Sequence, residues 1–294
     1  MISHKAARAV AAVIETGSFE IAAAQLGLTP SAVSHRVKLL EDQLGTVLIR
    51  RASPCTATHA GTKVHAYLQT IALLERDLTK ELGLNTTNRV TVRIAVNADS
   101  LGTWFMTALA QNSDEFLFDI IIEDQEVSSE LLKTGEVVGA LGIANHTVAG
   151  CDEIALGSMD YVACTSPAFF NRYFADGLTK AALSSAPSLR FSPHDTFQDK
   201  WAAQHVGKGI ILPMHKLPSF SVFLDGCLEG LGWGLLPKDG VAPYLADGRL
   251  VVLKENAEFS SHLVWRWVRS AGHALAPLNQ AIRASAHNAL NPPE

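Results

Sequence analysis

Residues 18–41, SFEIAAAQLGLTPSAVSHRVKLLE, constrain the fold more than any other stretch of the 294-residue chain. Ser18 is suited to cap a short helix whose small apolar face is read as Ile21, Ala22, Ala24 and Leu26. Gly27 breaks that helix, and Thr29-Pro30-Ser31 opens a second one. A hydroxyl suits the N-cap there, and the missing N–H of proline costs nothing in a first turn. Val33, Val37 and Leu40 recur at i, i+4 and i+7 and face inward, leaving Ser31, Ser34, His35, Arg36 and Lys38 for the other faces. Two short helices across a glycine turn, the second polar and basic, describe a helix-turn-helix that reads DNA. An ordinary helical hairpin is the plainer alternative.

The flanking residues extend the pattern. Ala6, Ala9, Val10, Val13 and Ile14 form the inner face of a preceding helix over 3–16, which Gly17 ends. After Leu44-Gly45, a short extended piece runs from Leu48 to Arg51, and Thr58-His59-Ala60-Gly61 begins another helix. Val64, Tyr67, Leu68, Ile71, Leu74, Leu78 and Leu82 repeat along it at threes and fours. A long helix standing off a small head would expose that stripe, so pairing with a second copy is expected.

The net charge of −5 at first disfavours a nucleic-acid partner. Its distribution reverses the argument. Residues 1–83 hold 9 Lys and Arg against 7 Asp and Glu, leaving 15 against 22 for residues 84–294. A mildly basic head on an acidic body suits a sensor that touches DNA at one end. Among the head residues, Ser31, Ser34 and His35 are short or planar enough to meet base edges, whereas Arg36 and Lys38 reach for phosphates.

From GSFEIAAAQLGLTPSAVSHRVKLLEDQLG, through the wing arginines, to the T-x-x-G helix entry, the sequence resembles the LysR-type transcriptional regulators. VRIAVNADSLGTWF and GEVVGAL extend the likeness to the ArgP/LysG branch, whose members sense lysine or arginine and control basic amino-acid export. The resemblance covers the whole chain. It implies a winged helix-turn-helix over 1–60, a linker and dimerisation helix over 61–84, and a two-lobed α/β effector domain over 90–294 like that of periplasmic binding proteins. It also implies double-stranded DNA, RNA polymerase and further copies of the chain as partners, in a homodimer or homotetramer. No cofactor is implied beyond a small basic amino acid, and the regulated gene would be an exporter that the protein activates. Arg50 and Arg51 stand where the family often touches the DNA backbone or minor groove. Three departures are visible: His35 where glutamine is common, Thr56 where a basic residue is frequent, and Ser192 where some relatives carry aspartate.

The body reads as α/β independently of that likeness. Gly83–Asn88 is a turn-rich hinge, after which β-branched runs (91–96, 119–122, 139–144) alternate with helical stretches near 101–111 and 126–134, which argues for a parallel sheet. A second set follows, with strands near YVACTS, SLRFS, WGLLP and RLVVL, helices near 179–185, 195–205 and 219–229, then a strand at 262–268 and a helix at 275–290. The lobes are expected at about 90–160 with 262–294, and at about 161–261. In such sheets ligands bind beyond the carboxyl ends of strands, where helix N-termini point their N–H groups. The exits carry Asn97, Asp99, Ser100, Glu123, Asp124, Asp160, Asp195 and Ser219. Ser100 at a helix start suits a ligand carboxylate, and the acids suit ammonium or guanidinium groups.

Other functions find little support. No apolar run approaches the roughly 18 residues of a membrane span, and the residues after Met1 lack the apolar core of a signal peptide, so the cytoplasm is expected. Cys55, Cys151, Cys164 and Cys227 are scattered, which disfavours a disulfide framework or structural zinc. His59 and His65 are isolated, GLGWG lacks the spacing of a dinucleotide loop, and no nucleophile elbow or zinc-hydrolase motif is present. Two rivals remain: a DNA-architectural protein without effector control, and a solute-binding protein or enzyme with a helical appendage.

Overall fold

The computed structural model describes residues 2–84, 89–124, 127–144, 147–217 and 219–293, so most of the expected hinge, Asn85–Asn88, lies outside the described residues. The head is built from α1 (His4–Thr16), α2 (Phe19–Leu26), α3 (Pro30–Leu44), the two-strand wing β1 (Ile49–Arg50) and β2 (Thr56–Ala57), and the start of α4 (His59–Glu81). Local chemistry sets each boundary. Gly17, Gly27 and Gly45 end their helices in the left-handed conformation, and Ser18, Thr29 and Thr58 cap the next ones by accepting backbone N–H groups. Val33, Val37 and Leu40 are fully buried against the alanines of α1. The apolar face of α2 departs from expectation: Ala22 and Ala23 are buried, while Ala24 is exposed and Ile21 is 54% exposed. Phe19, Ala22, Ala23 and Leu26 are the set that follows a helical period, and they are the ones that pack inward.

The long helix α4 divides its stripe between two cores. Val64 and Leu68 belong to the head, whereas Leu73, absent from the expected stripe, is buried in the core of the body. Tyr67, Leu74, Leu78 and Leu82 stay exposed. Arg76 reaches from this helix to Glu115 at 2.6 Å and lies 4.6 Å over the Phe116 ring, and Asp77 meets His273 at 2.6 Å.

The body follows as β3 (Val90–Val96), α5 (Ala98–Ser100), a π-helical turn (Leu101–Phe105), α6 (Met106–Gln111), β4 (Phe116–Ile122), α7 (Ser128–Thr134) and β5 (Gly139–Ile143). β6 (Cys151–Thr165) leads to α8 (Pro167–Tyr173), α9 (Lys180–Ser185), β7 (Ser188–Arg190), α10 (Phe197–His205), β8 (Met214–Lys216) and α11 (Phe220–Leu228). The chain ends with β9 (Gly234–Pro237), α12 (Lys238–Ala246), β10 (Val251–Val252), β11 (Phe259–Val268) and α13 (Ala276–Ala289). Seven strands form one sheet in the order β10-β6-β11-β5-β3-β4, with β9 also paired to β6. Only β3 with β4 and β3 with β5 are parallel in it, so the sheet is mixed where a parallel one was expected. β6 also begins ten residues before YVACTS, because its first two-thirds pair with β11. β6 and β11 therefore run through both lobes, and one apolar cluster joins residues from each, including Trp104, Phe169, Trp201 and Trp233.

The T-x-x-G entry has a steric reason. A Cβ added to Gly61 would fall on the Leu48 carbonyl oxygen of the wing, which also accepts the Thr58 N–H at 3.0 Å. Gly61→Ala is expected to destabilise the head by about 1–3 kcal/mol through overpacking. Urea denaturation followed by helical circular dichroism would show this as a lower midpoint.

Candidate functional sites

On α3, Ser31, Ser34, His35 and Lys38 lie at i, i+3, i+4 and i+7, a single solvent-facing stripe opposite the buried valines. Ser34 and Arg36 are half-buried and Ser31, His35 and Lys38 exposed; Lys38 shares the serine stripe, and Arg36 falls off it. Ser31 shares a hydrogen bond with the capping Thr29 at 3.0 Å. In the wing, Arg50 and Arg51 are exposed, and the Arg51 guanidinium rests 5.0 Å from the Phe19 ring centroid, which orients it against α2.

In the body, six of the eight expected residues line one cleft between the lobes. Asn97, Asp99, Glu123 and Asp124 come from the ends of β3 and β4, and Asp195 and Ser219 from the loops before α10 and α11. Phe191, Phe197, Gln198 and Phe223 complete much of the wall. Four carboxylates thus line a cleft in which, among the described residues, no basic side chain takes part. Tyr161 donates its hydroxyl to Asp99 Oδ2 at 3.0 Å. Asp195 accepts backbone N–H groups from Phe191 at 3.0 Å and Phe197 at 3.2 Å, while Arg190 holds the Asp195 carbonyl at 3.2 Å. Burial pushes the Asp99 carboxyl up to about 7, against the Tyr161 hydrogen bond and with help from Asp195 and Asp124. Asp195 is raised as well, again chiefly by burial.

The other two residues lie elsewhere. Ser100 is fully buried within the three-residue α5, its Oγ without a hydrogen-bond partner, and is not among the residues that line the cleft; the helix start that lines it is that of α11, whose Ser219 makes no capping bond of its own. Asp160 lines a separate, larger cavity. Tyr161, its neighbour on β6, is the residue that reaches Asp99. Tyr161 itself escaped the sequence reading: its partner is 62 residues away, and nothing local marks the contact.

A winged head with an exposed polar recognition helix, carried by a long helix on a two-lobed body with a cleft, defines a helix-turn-helix regulator joined to a small-molecule-binding domain. The comparisons give that class its family. Residues 4–62 match the bacterial regulatory helix-turn-helix proteins of the lysR family, and residues 86–288 match the LysR substrate binding domain. The chain is 39% identical over 279 residues to the HTH-type transcriptional regulator LysG of Mycobacterium tuberculosis, covering 95% of this chain and 91% of that one. ArgP from Mycobacterium tuberculosis superposes with a TM-score of 0.82 at 36% identity over all of both chains. LysG from Corynebacterium glutamicum, solved with the bound effector arginine, gives 0.70 at 31% identity over 99% of this chain and 100% of that one. The chain belongs to the LysR family of transcriptional regulators. Among the described residues no helix is long and apolar enough to cross a membrane.

The raised Asp99 group carries a pH signature. Its carboxyl ionises near the ordinary 3.8 in the unfolded chain and near 7 in the folded one. Between those values the folded protein keeps a proton that the unfolded chain has released, so this group's contribution to stability is fullest below 3.8 and is lost as pH rises through 7. Asp99→Asn is expected to stabilise the protein at alkaline pH by roughly 1–2 kcal/mol, partial exposure keeping the gain below the full shift. Urea titrations should show that advantage vanishing in acid.

Proposed function

We propose that this chain is a transcription regulator whose effector is a basic amino acid, lysine or arginine, held in the carboxylate cleft. One observation carries the reading: Asp99, Glu123, Asp124 and Asp195 line one cleft, and no basic side chain is among its described lining residues. Buried carboxylates are costly without a positive partner, and the raised Asp99 proton stands where such a partner would be. The arginine bound to LysG of Corynebacterium glutamicum supports the same ligand class. The ligand's cationic groups meet the carboxylates, and its own carboxylate meets Ser219 and the first turn of α11, a nine-residue helix. The cleft encloses about 50 Å³, well below the roughly 300–1,000 Å³ of small-molecule sites. The lobes therefore part to admit the ligand, and binding shifts the protein toward whichever arrangement the ligand prefers.

On DNA, the stripe Ser31, Ser34, His35 and Lys38 enters the major groove, and Arg36, Arg50 and Arg51 hold the backbone. The exposed Tyr67, Leu74 and Leu78 of α4, with Leu82 at its C-cap, support pairing with a second copy, and two pairs joined through the bodies make the tetramer. The regulated gene is a basic amino-acid exporter, which the effector-loaded protein activates with RNA polymerase in the cytoplasm. The architectural rival predicts no ligand response at all.

Calorimetry of the full chain should show lysine or arginine binding and leucine failing to bind. Asp99→Asn should weaken lysine by on the order of 1.5–3 kcal/mol, the loss of a charged hydrogen bond. Affinity should also fall below pH 7, where a proton competes for Asp99, and this fall should disappear in the variant. Leucine binding as well as lysine would refute the charge argument.

The head gives a second test. Ser34→Ala should cost about 1–3 kcal/mol and relax preference at one base position, whereas Arg36→Ala should weaken all sequences alike and flatten the salt dependence. Footprints and salt titrations distinguish them. A uniform loss from Ser34→Ala removes it from the readers.

A further inference from the structure

The face of α4 that carries buried Leu73 continues through Asp77 and Glu81, at i, i+4 and i+8. Leu73 is fixed in the core of the body, so the acids further along that face are turned toward the body as well. There they meet His273, in the segment between a 3-10 turn (Arg269–Ala271) and α13. Ala271, Ala274 and Leu275 are buried on either side of His273, which anchors the backbone that presents the imidazole. His273 Nδ1 lies 2.6 Å from Asp77 Oδ2, and the ligating atoms that Asp77, Glu81 and His273 can offer all lie within 4.8 Å of one another. Among the described residues no other three His, Cys, Asp or Glu side chains come together in this way.

The charge balance here asks for a cation. Arg76 and Lys80 line the same cavity, of about 310 Å³, but Glu115 takes both, Arg76 at 2.6 Å and Lys80 at 3.2 Å. Asp77 is left with His273, and Glu81 forms no hydrogen bond or salt bridge among the described residues. Glu81 also stands in the last turn of α4, where the free carbonyls of the helix disfavour a carboxylate and favour a positive ion.

An imidazole beside two carboxylates is a donor set for zinc and its neighbours, whereas magnesium and calcium take oxygen ligands. From the shared face, the two elements that converge on it and the missing positive charge, we infer that Asp77, Glu81 and His273 form a site for a divalent transition-metal ion such as zinc, which fastens the linker helix to the body. Around a tetrahedral ion with bonds of about 2.0–2.1 Å, ligand atoms stand roughly 3.4 Å apart, so Asp77 and His273 part slightly and Glu81 closes in. Glu81 is exposed and the His273 side chain is 74% exposed, so both turn into place without disturbing the core. The ion replaces the proton shared by His273 Nδ1 and Asp77, and water takes the fourth position. None of the three residues lines the effector cleft or lies on the recognition helix, so the metal is an input separate from both.

Calorimetry of the full chain with zinc, after removal of metal by a chelator, tests the site, with magnesium as the control ion. Zinc should bind and magnesium should not. His273→Ala and Asp77→Asn should each weaken zinc at least about tenfold, the lower end of what loss of even an outer partner of a metal ligand causes. Cobalt should give a visible absorption band that both variants lose. Zinc should raise Tm and slow amide hydrogen exchange in residues 78–81, and neither effect should survive in His273→Ala. An absence of zinc binding, equal binding of magnesium, or zinc affinity unchanged by both substitutions, which places the ion on other histidines or cysteines, overturns the site. Zinc that binds through these residues without slowing exchange in residues 78–81 overturns the fastening of the linker.

Discussion

β6 and β11 lie antiparallel from Tyr161 opposite Phe259 to Cys151 opposite Val268, and the rest of the sheet hangs on that pair. β5 attaches to β11 and brings β3 and β4 with it, while β9 and β10 attach to β6. Both lobes therefore share one hydrogen-bonded sheet, and any opening of the cleft must bend these two strands. The pair is prepared for bending. Its register shifts between Leu263 and Val264, beside Gly157, whose φ of +117° and contact with the Asn291 carbonyl exclude a side chain. Along β6, Tyr161 reaches Asp99 and Asp160 lines the larger cavity.

The head was legible because its determinants are local. Caps, helix-ending glycines and the period of Val33, Val37 and Leu40 all act within a few residues, so reading them requires no knowledge of the rest of the chain. The error on α2 came from counting Ile21 as apolar without holding it to the 3.6-residue period. The body was legible only in its parts. CDEIALGSMD carries three acids and a glycine and reads as a loop, yet it is strand because β11 pairs along it. That partner is about a hundred residues distant, and pairing of that kind leaves little trace in composition. The same holds for Leu73, whose burial depends on a body the helix meets only in three dimensions.

The acidic residues at strand exits were found because topology alone places them: β3 and β4 are parallel neighbours in register, so their carboxyl ends bring Asp99 beside Asp124. What topology alone could not supply was depth. Asp160 lines the larger cavity instead, and Ser100, one position past Asp99, is fully buried. Depth also sets the chemistry of Asp99. Water would leave this carboxyl ionised at neutral pH, whereas burial, with two further carboxylates nearby, raises it to about 7.

Helix α4 supplies the last link between body and head. Its first half shares a core with α1 through Val64 and Leu68, and its second half is fastened to the body by buried Leu73 and by Arg76 on Glu115 and Phe116. β4, which Phe116 begins, ends at Ile122 beside Glu123 and Asp124 in the cleft wall. A single strand thus runs from the linker's anchor to the carboxylates, and a helix is stiff over the length of α4. Among the described residues, α4 and β4 thus form one packed connection between the head and the cleft wall.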